Sequence, residues 1–177
     1  LAFRLSAQGI GVSLGIGIGT GIDVGHADVL HHLAEDEQTR VIALHLESCD
    51  DGPALLAAVR AAAERKPVVA LVVGRNNVAE FARSHTGALA TSWRTTRSVL
   101  AQAGAVVVDD EEQLISAVIG LSAGRIAATA HPGVALITGQ AGPGLLIADE
   151  LASRKVELPT LSEPTRRRLG ELLPPLT

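Results

Sequence analysis

Aliphatic runs of strand length, alternating with amphipathic segments of helix length, predict an α/β fold on a parallel sheet with helices on both faces. Three observations carry this. Val68-Val69-Ala70-Leu71-Val72-Val73 is apolar at every position, as a strand covered on both faces must be. Aromatic residues are 2% of the 177-residue chain against 47% hydrophobic, so the core must be built from Val, Leu, Ile and Ala. Strand and helix signals alternate strictly, as parallel strands joined by right-handed crossovers require.

In order, residues 10–18 form an apolar run punctuated by Gly11, Gly15 and Gly17, read as a strand running into the glycine-rich loop at Gly19 and Gly21. Residues 26–34 carry apolar side chains at helical spacing. A strand follows at 41–47, and Asp51-Gly52-Pro53 starts an alanine-rich helix that runs to about Arg65, before Lys66-Pro67. The strand 68–73 leads into a histidine-bearing loop, then a helix over about 92–103 that Gly104 ends. A short strand at 105–108 precedes four carboxylates, Asp109 to Glu112, which favour a helix N-terminus, and that helix reaches about Leu121. Residues 123–133 are small and turn-prone and read as a linker between a domain at 1–122 and the start of a second α/β domain at 134–177. There the pattern restarts, with a strand at 134–138, a glycine turn at 139–144, a helix to about Ser153, and a last helix from about Ser162 that ends before Pro174-Pro175.

Composition excludes several function classes. A net charge of -4 and a pI near 5.8 argue against a nucleic-acid partner, which needs a basic face. No apolar run approaches the roughly 20 residues of a membrane span, and no basic-then-apolar leader marks export. The single cysteine, Cys49, cannot form an internal disulfide, which fits a reducing, cytoplasmic setting. With no methionine, Leu1 is not a translational start as written, so the chain reads as processed or as part of a longer polypeptide.

The most informative stretch runs from Gly74 through Ser84-His85-Thr86-Gly87-Ala88-Leu89-Ala90, after the buried strand. A histidine among small residues at the C-terminal end of a parallel strand stands where α/β proteins do chemistry. As a phosphoryl carrier, His85 needs an unprotonated ring nitrogen and donors for the phosphate, which Ser84, Thr86 and the backbone around Gly87 can supply. Its other ring nitrogen needs an acceptor, and Glu47, at the end of the preceding strand, can lie on the same sheet edge. On residue chemistry alone, His85 reads equally as a surface histidine, and Glu47 by itself more often as a solvated strand end.

Other motifs are weaker. The glycines at 9–21 lack the G-x-G-x-x-G spacing of dinucleotide binding, and no G-x-x-x-x-G-K-[ST] loop occurs. His26, His31 and His32 have no metal-ligand spacing, so no metal site is expected. His45, inside a strand, reads as a satisfied core histidine, and Arg166-Arg167-Arg168 as a solvated helix face. The turn at Gly142-Pro143-Gly144 either offers a helix N-terminus to a phosphate or carboxylate or simply joins strand to helix.

Four stretches resemble the NDP-forming acyl-CoA synthetases, relatives of the succinyl-CoA synthetase alpha subunit. They are Gly9-Ile10-Gly11-Val12-Ser13 through Asp23 to Leu33; the strand ending at Glu47, with Asp51-Gly52; Lys66-Pro67-Val68-Val69 through Ser84-His85-Thr86-Gly87-Ala88-Leu89-Ala90; and Gly142-Pro143-Gly144 with Leu161-Ser162-Glu163. The resemblance covers nearly the whole chain. It implies a flavodoxin-like sheet and an enzyme that interconverts acyl-CoA, ADP and phosphate with acid, CoA and ATP through a phosphohistidine. It makes His85 the phosphohistidine, Glu47 the residue that orients its ring, and Ser84, Thr86 and Gly87 its phosphate-binding neighbours. Gly142 and Gly144 become a candidate cofactor-binding turn. CoA, ADP or ATP, and Mg²⁺ belong to the complete enzyme, on an ATP-grasp module and a CoA-binding Rossmann-like domain outside this chain, so the chain alone is expected not to turn over. A homo-oligomer is compatible with this.

The chain departs from the family pattern at Thr20, often Asn, at Thr91, often Gly, and at Gly139-Gln140-Ala141, usually Asn-Ala-Gly. The family's domain also has a strand and Ser-Gly helix start before the position of Leu1, with the strand lying between those at 10–18 and 41–47. The alternative is a non-catalytic acyl-CoA-sensing module, such as those fused to protein acetyltransferases. Retention of both His85 and Glu47 favours the enzyme.

Overall fold

A computed structural model describes residues 1–19, 21–49, 51–75, 92–124 and 133–173. The chain divides into two compact units, Leu1–Arg125 and Ile126–Thr177.

The first unit is built on three parallel strands, β1 (Ile42–Leu46), β2 (Val68–Val72) and β3 (Val106–Val108), in the order β1-β2-β3. Ile42 lies opposite Val68 and Leu46 opposite Val72, while Val69 lies opposite Val106. β2 is buried at all five positions, as the apolar run predicts for a central strand. The helices of its described residues are α1 (Ala2–Ala7), α2 (His26–Glu35), α3 (Gly52–Arg65), α4 (Trp93–Gln102) and α5 (Glu111–Ala123). Leu30 of α2, Ala58, Val59 and Ala62 of α3, and Leu100 of α4 pack with Leu44, Leu46, Val68 and Ala70 on one face. Leu5 of α1 and Leu114, Ile115 and Val118 of α5 pack with Val69, Leu71 and Val108 on the other. Two-sided coverage by helices is the expected architecture.

The helix ends follow their capping residues. The Asp51 side chain accepts from Ala54 N–H at 2.9 Å and Asp110 from Gln113 N–H at 2.8 Å, so both helices start at the acids that precede them. Lys66, which ends α3, donates its ammonium to the carbonyls of Leu33 and Asp36 at the end of α2. The Lys66-Pro67 pair thus closes two helices before β2 begins.

Three expectations fail. Residues 10–18 form no strand: the backbone has no ladder partner among the described residues, and the segment is tied by a 2.9 Å hydrogen bond between the Ser13 and Thr39 hydroxyls. A groove of about 1290 Å³ separates it from β1, where the family resemblance places a further strand. The facing edge of β1 is likewise unpaired among the described residues. Ile42 N–H donates to Pro67 and Val73 N–H to Leu46 C=O, so the alternation of a parallel ladder turns the amides of Ala43 and His45 the other way. His45, expected in the core, is exposed on that edge, because the helices covering this face reach Val41 and Ala43 but not position 45.

The third failure is in the second unit, where the expected strand at 134–138 is reduced to a single bridge between Gly133 and Glu157. Its helices, α6 (Ala141–Ser153) and α7 (Glu163–Leu172), stand where the sequence predicts. Leu145 and Leu146 of α6 and Leu172 of α7 are exposed, and the described residues of this unit hold no apolar cluster to support a sheet.

Candidate functional site

β1 and β2 run parallel and adjacent, so their C-terminal ends share one edge of the sheet. Glu47 is the first residue past β1 and is exposed. Val73 N–H donates to Leu46 C=O at 2.9 Å, which continues the ladder to the start of the histidine loop and sets Gly74-Arg75 on the edge that carries Glu47. His85, Ser84, Thr86 and Gly87 lie outside the described residues, as does the expected contact between His85 and Glu47. The large groove beside β1 reaches Glu47 and Ser48 at one end. Cys49 packs against the core from the same end of β1.

The structure brings to this edge a cluster that residue chemistry alone did not single out. Trp93, the chain's single tryptophan, opens α4, and its indole N–H donates to Val72 C=O at 2.9 Å. Arg97, one turn later, lies over the same ring at 4.7 Å from its centroid, donates to Val108 C=O and pairs with Asp109 at 2.8 Å. Arg75 lies over the ring at 5.4 Å. One indole thus joins the carboxyl ends of β2 and β3 to the start of α4, and holds two guanidinium groups by cation–π attraction. The available signal was an aromatic–arginine pair at i, i+4 just inside a helix start, in a chain that is nearly without aromatics.

Gly142 and Gly144 fall in the first turn of α6. Gly142 is exposed, with nothing within 4 Å of the place a Cβ would take. Gly144 is buried, and a Cβ there would stand 2.8 Å from Thr138 Cγ2, so close packing accounts for that glycine. Among the described residues no group of three or more His, Cys, Asp or Glu could hold a metal ion, and no helix is long and apolar enough to cross a membrane. Arg166 to Arg168 are exposed as expected, with Arg166 paired to Glu163 and Arg168 to Glu171.

Among the described residues of the first unit, two carboxyl groups elsewhere are shifted. The Thr39 hydroxyl, with the Gln38 N–H, Lys66 and His32 behind it, holds the Asp36 carboxyl below the usual carboxylate range. A hydrogen bond from Arg4 does the same for Glu111.

Known proteins resemble this chain in fold and in sequence. The alpha subunit of the ADP-forming acetate–CoA ligase II of Pyrococcus furiosus is 31% identical over 180 residues, covering 99% of this chain and 38% of that protein. The ADP-forming acetate–CoA ligase I of Archaeoglobus fulgidus is 32% identical over 168 residues, covering 94% of this chain and 24% of that protein. The dinucleotide-forming acetyl-coenzyme A synthetase 1 of Ca. Korarchaeum cryptofilum, solved in complex with phosphate and ADP, superposes with a TM-score of 0.83 at 26% identity. That match covers 98% of this chain and 38% of the solved one, so the chain spans well under half the length of these relatives. Residues 1–121 match the succinyl-CoA ligase-like flavodoxin domain, and the chain belongs to that family.

Proposed function

We propose that this chain is the phosphoryl-carrier part of an ADP-forming acyl-CoA ligase, with His85 as the carrier. The observation that supports it most is the adjacency of β1 and β2. Glu47 and the entry to the histidine loop emerge side by side on one sheet edge, which is what a carboxylate orienting a phosphorylated imidazole needs. The names of the relatives, ADP-forming acetate–CoA ligases, support the enzyme over the sensing module.

In the proposed cycle phosphate displaces CoA from acyl-CoA and forms an acyl phosphate. An unprotonated ring nitrogen of His85 then attacks its phosphorus and releases the carboxylate. ADP takes the phosphoryl group from the phosphohistidine, which restores the neutral imidazole and yields ATP. Glu47 fixes the ring tautomer and stabilises positive charge on the imidazole. Ser84, Thr86 and the amides near Gly87 hold the phosphoryl oxygens. Gly142 offers its amide at the start of α6 for a ligand's negative group, while the Gly144 amide is directed to Gln140 C=O at 3.4 Å. CoA, nucleotide and Mg²⁺ are assigned to a CoA-binding Rossmann-like domain and an ATP-grasp module beyond residues 1–122, the linker 123–133 and the ligase-domain start at 134–177. The setting is cytoplasmic.

The test is incorporation of acid-labile, base-stable phosphate from ATP when the chain is mixed with its ATP-grasp partner. Wild type is expected to label and His85→Asn not to label. Glu47→Gln is expected to slow labelling by about 10–100-fold, taking as a guide the loss of a carboxylate partner from a metal-bound imidazole. Absence of label in wild type, or its persistence in His85→Asn, rejects the proposal.

A further inference from the structure

We infer that Arg75, held against Trp93, is an anion subsite that takes a free phosphate dianion at the carboxyl edge of β2. The inference deepens the reading of the chain as a phosphoryl-transfer domain and rests on it for the identity of the anion.

The geometry begins with Gly74. Its φ of 95° is one that L side chains rarely adopt, and it turns the chain immediately after β2 so that Arg75 lies over the indole. The ring cannot drift, because its N–H is spent on Val72 C=O at 2.9 Å and its residue is the first of α4. The two guanidinium groups on this ring differ in one respect. Arg97 is committed, to Val108 C=O and to Asp109 at 2.8 Å, and its side chain is 19% exposed. Arg75 is exposed and has no carboxylate partner among the described residues.

The guanidinium carbon of Arg75 stands 5.4 Å from the ring centroid, and a guanidinium carries its N–H groups in a planar fork that matches two oxygens of a phosphate. The two ring distances bound the guanidinium carbons to within about 10 Å of each other, comparable to the screening length at moderate salt. Their repulsion is therefore incompletely screened, and Asp109 neutralises only the Arg97 side. A second anion beside Arg75 completes the balance. The position also suits a ligand: it lies outside the carboxyl ends of parallel strands, a local positive site on a chain whose net charge is -4. Phosphate is favoured over a monocarboxylate by its second charge and third acceptor oxygen. With two guanidinium groups already on the indole, Trp93 acts as a platform for charge and not as a stacking surface for a base.

The experiment titrates the 177-residue chain with inorganic phosphate at low ionic strength, without nucleotide or partner protein, following calorimetry and the ³¹P resonance. Saturable binding is expected in wild type, weakened at least tenfold in Arg75→Gln and less in Arg75→Lys. Trp93→Leu is expected to weaken binding several-fold with Arg75 intact, while Trp93→Phe, which keeps a ring, stays closer to wild type and guards against misfolding of the leucine variant. Arg94→Gln, an exposed arginine on the same helix, should bind as wild type does. Equal binding by wild type and Arg75→Gln, or no saturable binding in wild type, overturns the inference. A titration repeated with saturating ADP should leave phosphate affinity unchanged; displacement by ADP would reassign the subsite to a nucleotide phosphate and overturn the free-phosphate assignment. Because no phosphoryl transfer is read, failure of His85 to label and failure of Arg75 to bind are separate results.

Discussion

Replacing Gly144 by alanine places a methyl group where the second unit has no room for one. The new Cβ would stand 2.8 Å from Thr138 Cγ2, well inside the roughly 3.5–4.0 Å at which carbons attract. Thr138 cannot swing its methyl away freely. Its hydroxyl donates to Gln140 C=O at 2.9 Å and accepts from Gln140 N–H at 3.1 Å, so another rotamer forfeits both bonds of the turn that starts α6. Overpacking of this kind costs about 1–3 kcal/mol. Alanine recovers up to about 1 kcal/mol over glycine inside a helix. With the full helix gain subtracted, the net expectation is a loss of up to about 2 kcal/mol. Gly142→Ala, with open space around it, keeps the gain without the clash and should stabilise α6 by up to about 1 kcal/mol. Thr138→Ser deletes Cγ2 but keeps the hydroxyl, so Gly144→Ala combined with Thr138→Ser should return close to wild type. Amide hydrogen exchange along α6 reads the local opening free energy directly. Equal protection in Gly144→Ala and Gly142→Ala, or failure of the serine to rescue, would refute the packing argument and return Gly144 to the ligand-facing role.

Two further outcomes follow from the first unit. Leu100 is fully buried between α4 and the sheet, so Leu100→Ala should cost about 2–5 kcal/mol in denaturant unfolding, and a loss below about 1 kcal/mol would contradict the packing described. Asp36 and Glu111 are both held below ordinary carboxylate values, so each contributes stability that is complete above its unfolded value near 4 and is lost as pH falls through its lower folded value. The melting temperature should therefore fall below about pH 4, and Asp36→Asn should flatten part of that fall; a variant profile parallel to wild type removes Asp36 from the account.

The sheet and its helices were legible because burial leaves a direct record in sequence. β2 is apolar throughout because helices cover both its faces, and β1 and β3 follow within two residues at each end of their predicted spans. Asp51, Asp110 and Ser162 announced three helices because a cap is a local interaction, made within four residues. α1 left no such record: Ala2–Ala7 has no side-chain cap, and its one buried residue, Leu5, is held by α5 and the sheet, far away in sequence. The candidate site was legible by halves for the same reason. Glu47 could be placed from its position at a strand end. The Trp93 clasp could not, because its partners are Val72 C=O, Arg75 and Val108 C=O by way of Arg97, and only the fold brings them together.

The failed strand at 10–18 marks where this kind of reading stops. Ile10, Val12, Leu14, Ile16 and Ile18 alternate with small residues at a period of two, which states which side chains share a face. A strand, however, is a property of a pair, since its amides are satisfied only by a neighbour. Val12, Leu14 and Ile16 remain 43–46% exposed beside a groove, and across that groove the outward amides of Ala43 and His45 face the same gap. The two unpaired edges are therefore one observation. The pattern in residues 10–18 specifies a surface fit to pair, and a pattern of that kind carries no information about whether the described chain supplies the other half.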